Sequence, residues 1–188
     1  MSRALLIVDV QNDFTEGGAL ETDGGAAVAA GITEHLASSR EQYDVVAASR
    51  DWHDADSDNG GHFHAQPDFV DSWPEHCVAG TAGADYHPAL DTKLVDLHIF
   101  KGQGSPSYSA FDGATAEGET LADALRARGV DELDVVGIAT DHCVRASALD
   151  GQRAGFTVRV IDGLTSAVSA ETRAAALEEL RAAGITVE

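Results

Sequence analysis

Asp9, Lys101 and Cys143 each stand at or just beyond the end of a short apolar run, in ALLIVD, VDLHIFK and LDVVGIATDHC. Runs of this kind read as buried strands, and in an open parallel sheet ligands gather where the carboxyl ends of the strands meet. An acid, an ammonium and a thiol brought to one rim can exchange an acyl group. The thiol attacks, the carboxylate takes its proton and returns it to a departing amine, and the ammonium favours the sulfur anion. A thiol of ordinary pKa, about 8.5, must fall by roughly 2 units to be mostly ionised at neutral pH. A helix terminus offers about 0.3 to 1 kcal/mol toward this and an ammonium at about 4 Å nominally about 4, so the lysine is expected to be the larger influence. Plainer readings exist for each residue: a buried small hydrophobe for Cys143, a solvated strand end for Lys101, a cap or loop-closing acid for Asp9. Against them, Lys93 and Lys101 are the only lysines in a chain that otherwise uses arginine. A Cys143–His142 pair fits less well, because adjacent helical residues do not face each other.

Asp51 and His53 follow the second apolar run and are two residues apart, which on extended chain puts both side chains on one face. His62 and His76 lie close enough in sequence to complete a ring, and His64 could replace His62. One carboxylate and three imidazoles suit a divalent transition metal, Zn, Fe or Mn, with positions left open for water or substrate. Structural or solvated histidines are the alternative. QNDFTEGG follows the first strand in place of a GxGxxG turn, and the GQG after Lys101 stands alone, so dinucleotide binding is not expected.

Positioning these groups requires a particular set of elements. Strands are expected at 4–9, 44–50, 95–101, 133–139, 157–161 and 185–187. Between them, Val28, Ile32 and Leu36, then Leu121 and Leu125, then Leu177 and Leu180 recur at helical spacing. Gly129, Gly155 and Gly184 each fall just past a helical stretch, as C-terminal caps do. The pattern predicts a three-layer αβα fold: an α/β domain with a six-stranded, mainly parallel, doubly wound sheet covered on both faces. Residues 51–92 break the alternation, holding His53, His62, His64, His76 and His87 with both tryptophans, and read as an ordered excursion that carries function. The 188 residues, 44% hydrophobic and 23% charged, suit one domain spanning 1–188. With 12 Lys plus Arg against 32 Asp plus Glu, the net charge of −20 disfavours nucleic acid and anionic membrane as partners. No apolar run approaches a membrane span and the opening MSRALLIVDVQND lacks signal-peptide features; with only Cys77 and Cys143, a reducing cytoplasm is expected. The number of subunits, monomer or homo-oligomer, is left open.

DVQNDF (9–14), DWH (51–53), HF (62–63), WPEHCVAGTAGADYHP (73–88), KG with a following YSAF (101–102, 108–111) and GIATDHCV (137–144) together resemble the nicotinamidase/pyrazinamidase group of isochorismatase-like cysteine hydrolases. The resemblance runs almost end to end, departing in the acidic segment 54–61. It implies a catalytic triad of Asp9, Lys101 and Cys143 and a metal held by Asp51, His53, His62 and His76, His62 being preferred to His64 because a Phe follows it. It also implies an oxyanion hole from the backbone N–H groups of Ala139 and Cys143, a cis peptide between Ile138 and Ala139, and a substrate pocket at Phe14, Trp73, Tyr108, Ile138 and His142. The activity implied is hydrolysis of nicotinamide, and of pyrazinamide, to the acid and ammonia through a cysteine thioester, within NAD salvage. Alternatives are a related hydrolase of a carbamoyl or other heterocyclic amide, an isochorismate hydrolase, which Cys143 argues against, and a ligand sensor without turnover.

Overall fold

The computed structural model describes residues 2–188. Among them, strands β1 (Ser2–Val8), β2 (Val45–Asp51), β3 (Leu97–Lys101), β4 (Val130–Ile138), β5 (Thr157–Ser166) and β6 (Thr186–Val187) alternate with helices α1 (Gly25–Ser39), α2 (Leu121–Ala127), α3 (Arg145–Arg153) and α4 (Ala170–Ala182). The sheet order is β3-β2-β1-β4-β5-β6. Every pairing is parallel, where the sequence had suggested a mainly parallel sheet. β5 runs on to Ser166 beyond its expected end at 161. A register irregularity between Val135 and Gly137 lets β4 pair again with Thr165 and Ser166, which polar residues around Gly163 conceal in the sequence.

Residues 4–8 of β1 are wholly buried, and their period of two divides them between the layers. Ala4, Leu6 and Val8 pack in the cluster that holds Leu121, Leu125, Ala148, Leu177 and Leu180 of α2, α3 and α4. Leu5 and Ile7 pack in the other, with Val28, Ile32 and Leu36 of α1. At about 1.5 to 3 kcal/mol for each fully buried Leu or Ile, β1 is the axis of the core. Strand order reverses at β1, so its carboxyl end and that of β4 flank the crevice where ligands bind in such sheets.

The excursion from β2 is ordered by backbone pairs, His53 with Val78, Phe63 with Trp73, and Gln11 with Tyr86. Its acidic part wraps the buried amide of Asn59. The Asn59 oxygen accepts from the N–H groups of Asp54 and Gly104, and its nitrogen donates to the carbonyls of Asp54 and Ser57.

Gly137 marks the tightest approach between β1 and β4. Its φ is +116°, and a Cβ there would run into the Val8 carbonyl. Gly137→Ala is therefore expected to cost at least about 3 kcal/mol in urea unfolding. A loss below about 1 kcal/mol would mean that the two strands can separate to admit a side chain.

Candidate active site

β1 ends in a left-handed backbone turn at Asp9, φ +46°, a conformation uncommon for a residue with a side chain. Asp9 is fully buried at the mouth of the sheet. Ser49 Oγ donates to its Oδ1 at 2.6 Å, and Oδ2 faces Lys101 Nζ at 2.9 Å. That Oδ2 makes no directed hydrogen bond. Lys101, the last residue of β3, is 1% exposed, so its ammonium must find partners within the protein. It pairs with Asp51 Oδ1 as well as Asp9, donates to the Ser107 carbonyl at 3.3 Å and lies 3.8 Å from Cys143 Sγ. Cys143 belongs to a widened, π-helical turn, Thr140–Val144, which leads from the cis Ile138–Ala139 peptide into α3. One oxygen of Asp9, one of Asp51 and the Cys143 sulfur lie within 4.8 Å of one another.

The electrostatics correct one expectation. Burial above all pushes the Cys143 thiol well above its usual range; the Lys101 ammonium works against this, and Asp9 and Asp51 reinforce it. Burial alone would push Lys101 down, but Asp51 and Asp9 hold it well above its ordinary value. The lysine was expected to outweigh a helix terminus in favouring the sulfur anion; burial, left out of that comparison, outweighs the lysine. Two carboxylates share the lysine's charge with the sulfur, which weakens its pull on the thiol. Burial likewise raises Asp9, which suits a group that receives a proton. Burial pushes Asp51 up too, but Lys101, His53 and His76 together keep it well below the usual carboxylate range.

Asp51 belongs to a second cluster as well. The ligand atoms of His53, His62 and His76 lie within 4.8 Å of one another, all three residues are buried, and Asp51 Oδ2 stands 3.5 Å from His53 Nε2 and 3.9 Å from His76 Nε2. His53 Nδ1 bonds the Gly102 carbonyl at 2.8 Å and His76 Nδ1 the Pro74 carbonyl at 2.7 Å. Those bonds put the proton on Nδ1 and leave Nε2 a lone pair facing inward, as metal-binding histidines are commonly held. His53 Nε2 and His62 Nδ1 have no hydrogen-bond partner. Burial, then the neighbouring His76 and His53, lower His62 to about 4, so its imidazole is neutral. Three imidazoles and a carboxylate converging on one buried space fit a divalent transition metal. His64 is excluded from the group: it is exposed and bonds the Gln66 carbonyl.

Above Cys143 opens a cavity of about 370 Å³, lined by Phe14, Trp73, Tyr108, Ala139 and His142 and reaching Asp51, His62 and His76. Trp73 Nε1 donates to the Tyr108 hydroxyl at 2.9 Å, and the His142 ring meets Trp73 nearly at right angles. Ile138 departs from expectation. Its side chain is fully buried among Leu5, Ile7 and the α1 residues and does not line the cavity, because β4 directs it into that layer.

Several supporting residues escaped the sequence reading. Gln11 clamps Asp51 from both sides, accepting from the Asp51 N–H and donating to its carbonyl, each at 2.8 Å. Asp13 accepts from the Cys77 N–H at 2.7 Å and so fixes the chain beside His76. Asp141 accepts from the Thr172 hydroxyl and the Val168 N–H and faces His142, joining the turn that carries Cys143 to the loop before α4. A polar residue breaking an apolar run, as Ser49 does in VVAAS, was the available signal.

A parallel α/β sheet with a buried thiol, ammonium and carboxylate below a histidine-lined cavity has the constitution of a hydrolase. The isochorismatase domain family matches residues 3–188, and the chain belongs to that family. It is 52% identical over 183 residues to the nicotinamidase/pyrazinamidase of Mycobacterium tuberculosis, covering 97% of this chain and 96% of that protein. Among solved structures it is similar to the pyrazinamidase of Pyrococcus horikoshii in complex with zinc, with TM-score 0.83 and 33% identity over 100% of this chain and 99% of that one. It is also similar to PnC1 of L. infantum in complex with nicotinate, with TM-score 0.83 and 35% identity over 100% and 92%.

Gly102 supports the histidine cluster through its backbone. Its φ is +83°, and a Cβ would stand 2.6 Å from His53 Cε1. Gly102→Ala should displace the ring and lower zinc affinity by about 10- to 100-fold, measured calorimetrically on chelator-treated protein, with an unchanged far-ultraviolet dichroism spectrum. Unaltered affinity would show that His53 does not need this position to bind a metal.

Proposed function

We propose that the chain hydrolyses nicotinamide to nicotinate and ammonia, and pyrazinamide likewise, through a Cys143 thioester. The chain is an amidohydrolase, and the observation that carries the reading is the contact of one buried ammonium with Asp9, Asp51 and Cys143 at the cavity floor. Asp9 Oδ2 accepts the thiol proton as sulfur attacks the carboxamide carbon, and Lys101 balances the negative charge that results. The backbone N–H groups of Ala139 and Cys143 receive the developing oxyanion, an interaction typically worth about 3 to 4 kcal/mol. Asp9 returns the proton to the nitrogen as the C–N bond breaks and ammonia leaves. It then takes a proton from the water that cleaves the thioester, releasing nicotinate and restoring the thiol.

Phe14, Trp73, Tyr108 and His142 enclose the pyridine ring and hold the carboxamide over Cys143, which turns an encounter into a positioned reaction. Asp51, His53, His62 and His76 would hold one divalent metal, zinc being the ion present in the Pyrococcus relative. When bound, such a metal supplies a coordination position for the ring nitrogen. Residues 1–188 act as one isochorismatase-like domain in which the excursion 51–92 supplies the ligands. The reaction belongs to NAD salvage, and two free cysteines suit a reducing cytoplasm. No helix among the described residues is long and apolar enough to cross a membrane.

Cys143→Ala should lower ammonia release from nicotinamide by at least about 10³-fold while the protein still binds nicotinate. Wild-type turnover in that variant would eliminate the thioester and favour attack by water. Chelation should weaken nicotinamide binding in wild type without unfolding it, and unchanged affinity would remove the metal from substrate positioning.

A further inference from the structure

Among the described residues, the large apolar side chains most exposed to solvent, Phe69 (59%), Val70 (70%) and Val168 (54%), all line the cavity that reaches Cys143. Leu20 joins them there. A protein of net charge −20 has ample polar residues for its surface, and a patch of this kind at a ligand cavity marks a contact region. The rim is also firmly built. The Asp68 carboxylate accepts from the N–H groups of Val70, Asp71 and Ser72 and from the Ser72 hydroxyl, closing a tight turn. Within that turn Phe69 takes φ +58° and sets its ring edge-on to Trp73 at 6.1 Å. On the facing side the Val168 N–H is held by Asp141 at 3.1 Å.

Resting on the proposed amide hydrolysis, the chemistry of a pyridine-3-carboxamide says which part of the substrate meets this rim. The carboxamide on C3 is directed at Cys143 and the ring nitrogen at the Asp51 and histidine cluster, both on the cavity floor. C2 lies between those two anchors and faces the floor. C5, across the ring from C2, then faces the opening. We propose that Phe69, Val70, Val168 and Leu20 form an apolar subsite for a substituent at C5, so that the enzyme accepts pyridine-3-carboxamides bearing an alkyl chain there. A substituent at C6, beside the nitrogen, would be carried toward the side wall and the histidine cluster instead.

The test compares nicotinamide, 5-butylnicotinamide and 6-butylnicotinamide as substrates, and binding of the corresponding acids by calorimetry to the metal-loaded protein. The 5-butyl acid should bind about tenfold more tightly than nicotinate, and the 5-butyl amide should be hydrolysed with kcat/KM at least equal to the parent. The 6-butyl pair should be poor in both assays. Phe69→Ser combined with Val70→Ser should reduce the ratio of 5-butyl to parent affinity to about one, and exposed positions of this kind tolerate substitution without loss of fold. Hydrolysis of nicotinamide with exclusion of the 5-butyl compounds, or a ratio unmoved by the double variant, would overturn the subsite alone. Absence of nicotinamide hydrolysis would overturn the underlying reading.

Discussion

One buried ammonium determines how the rest of the site can be arranged. Lys101 sits at the end of a strand with almost no access to water, where an isolated charge would be prohibitively costly. It is retained because Asp9 and Asp51 flank it, and they are retained because it is there. Removing the lysine would leave two buried carboxylates without compensation. The mutual dependence brings together strand ends that are far apart in sequence, at the place where the sheet's winding reverses.

The same cluster joins the two halves of the chemistry. Asp51 offers one oxygen to the lysine and turns the other toward His53 and His76, so the lysine cluster and the histidine cluster share a carboxylate. Two carboxylates against one ammonium leave a net negative charge in a buried space. A divalent cation held beside the three imidazoles would offset that imbalance.

Much of this arrangement was legible in the sequence for simple reasons. Strands buried on both faces leave continuous Val, Ile and Leu, so β1, β2 and β4 and the residues at their ends stood out, and Lys101 was conspicuous in a chain nearly free of lysine. The choice between His62 and His64 was not accessible from spacing. It depends on Asn59 and on the Phe63–Trp73 pairing, which turn one ring inward and leave the other in solvent. The weight of burial at Cys143 was not legible because a sequence shows which charges are near but not how far they are removed from water. Ile138 was misplaced for a related reason: a motif names a backbone position, and the pleat decides which layer receives the side chain. Gln11, Asp13 and Asp141 act by bonding backbone groups remote in sequence, and such bonds leave no periodic trace.

The central claim is that Lys101 is the charge that makes Cys143 usable in spite of burial. The most direct measurement is the pH dependence of Cys143 alkylation by iodoacetamide, read on the isolated peptide, in wild type and in Lys101→Met with an unchanged dichroism spectrum. Cys77 is fully buried and remote from solvent, so it does not compete. Loss of an ammonium 3.8 Å from sulfur should move the midpoint upward by at least about one pH unit and abolish ammonia release. Coincident alkylation profiles for the two proteins would contradict the account.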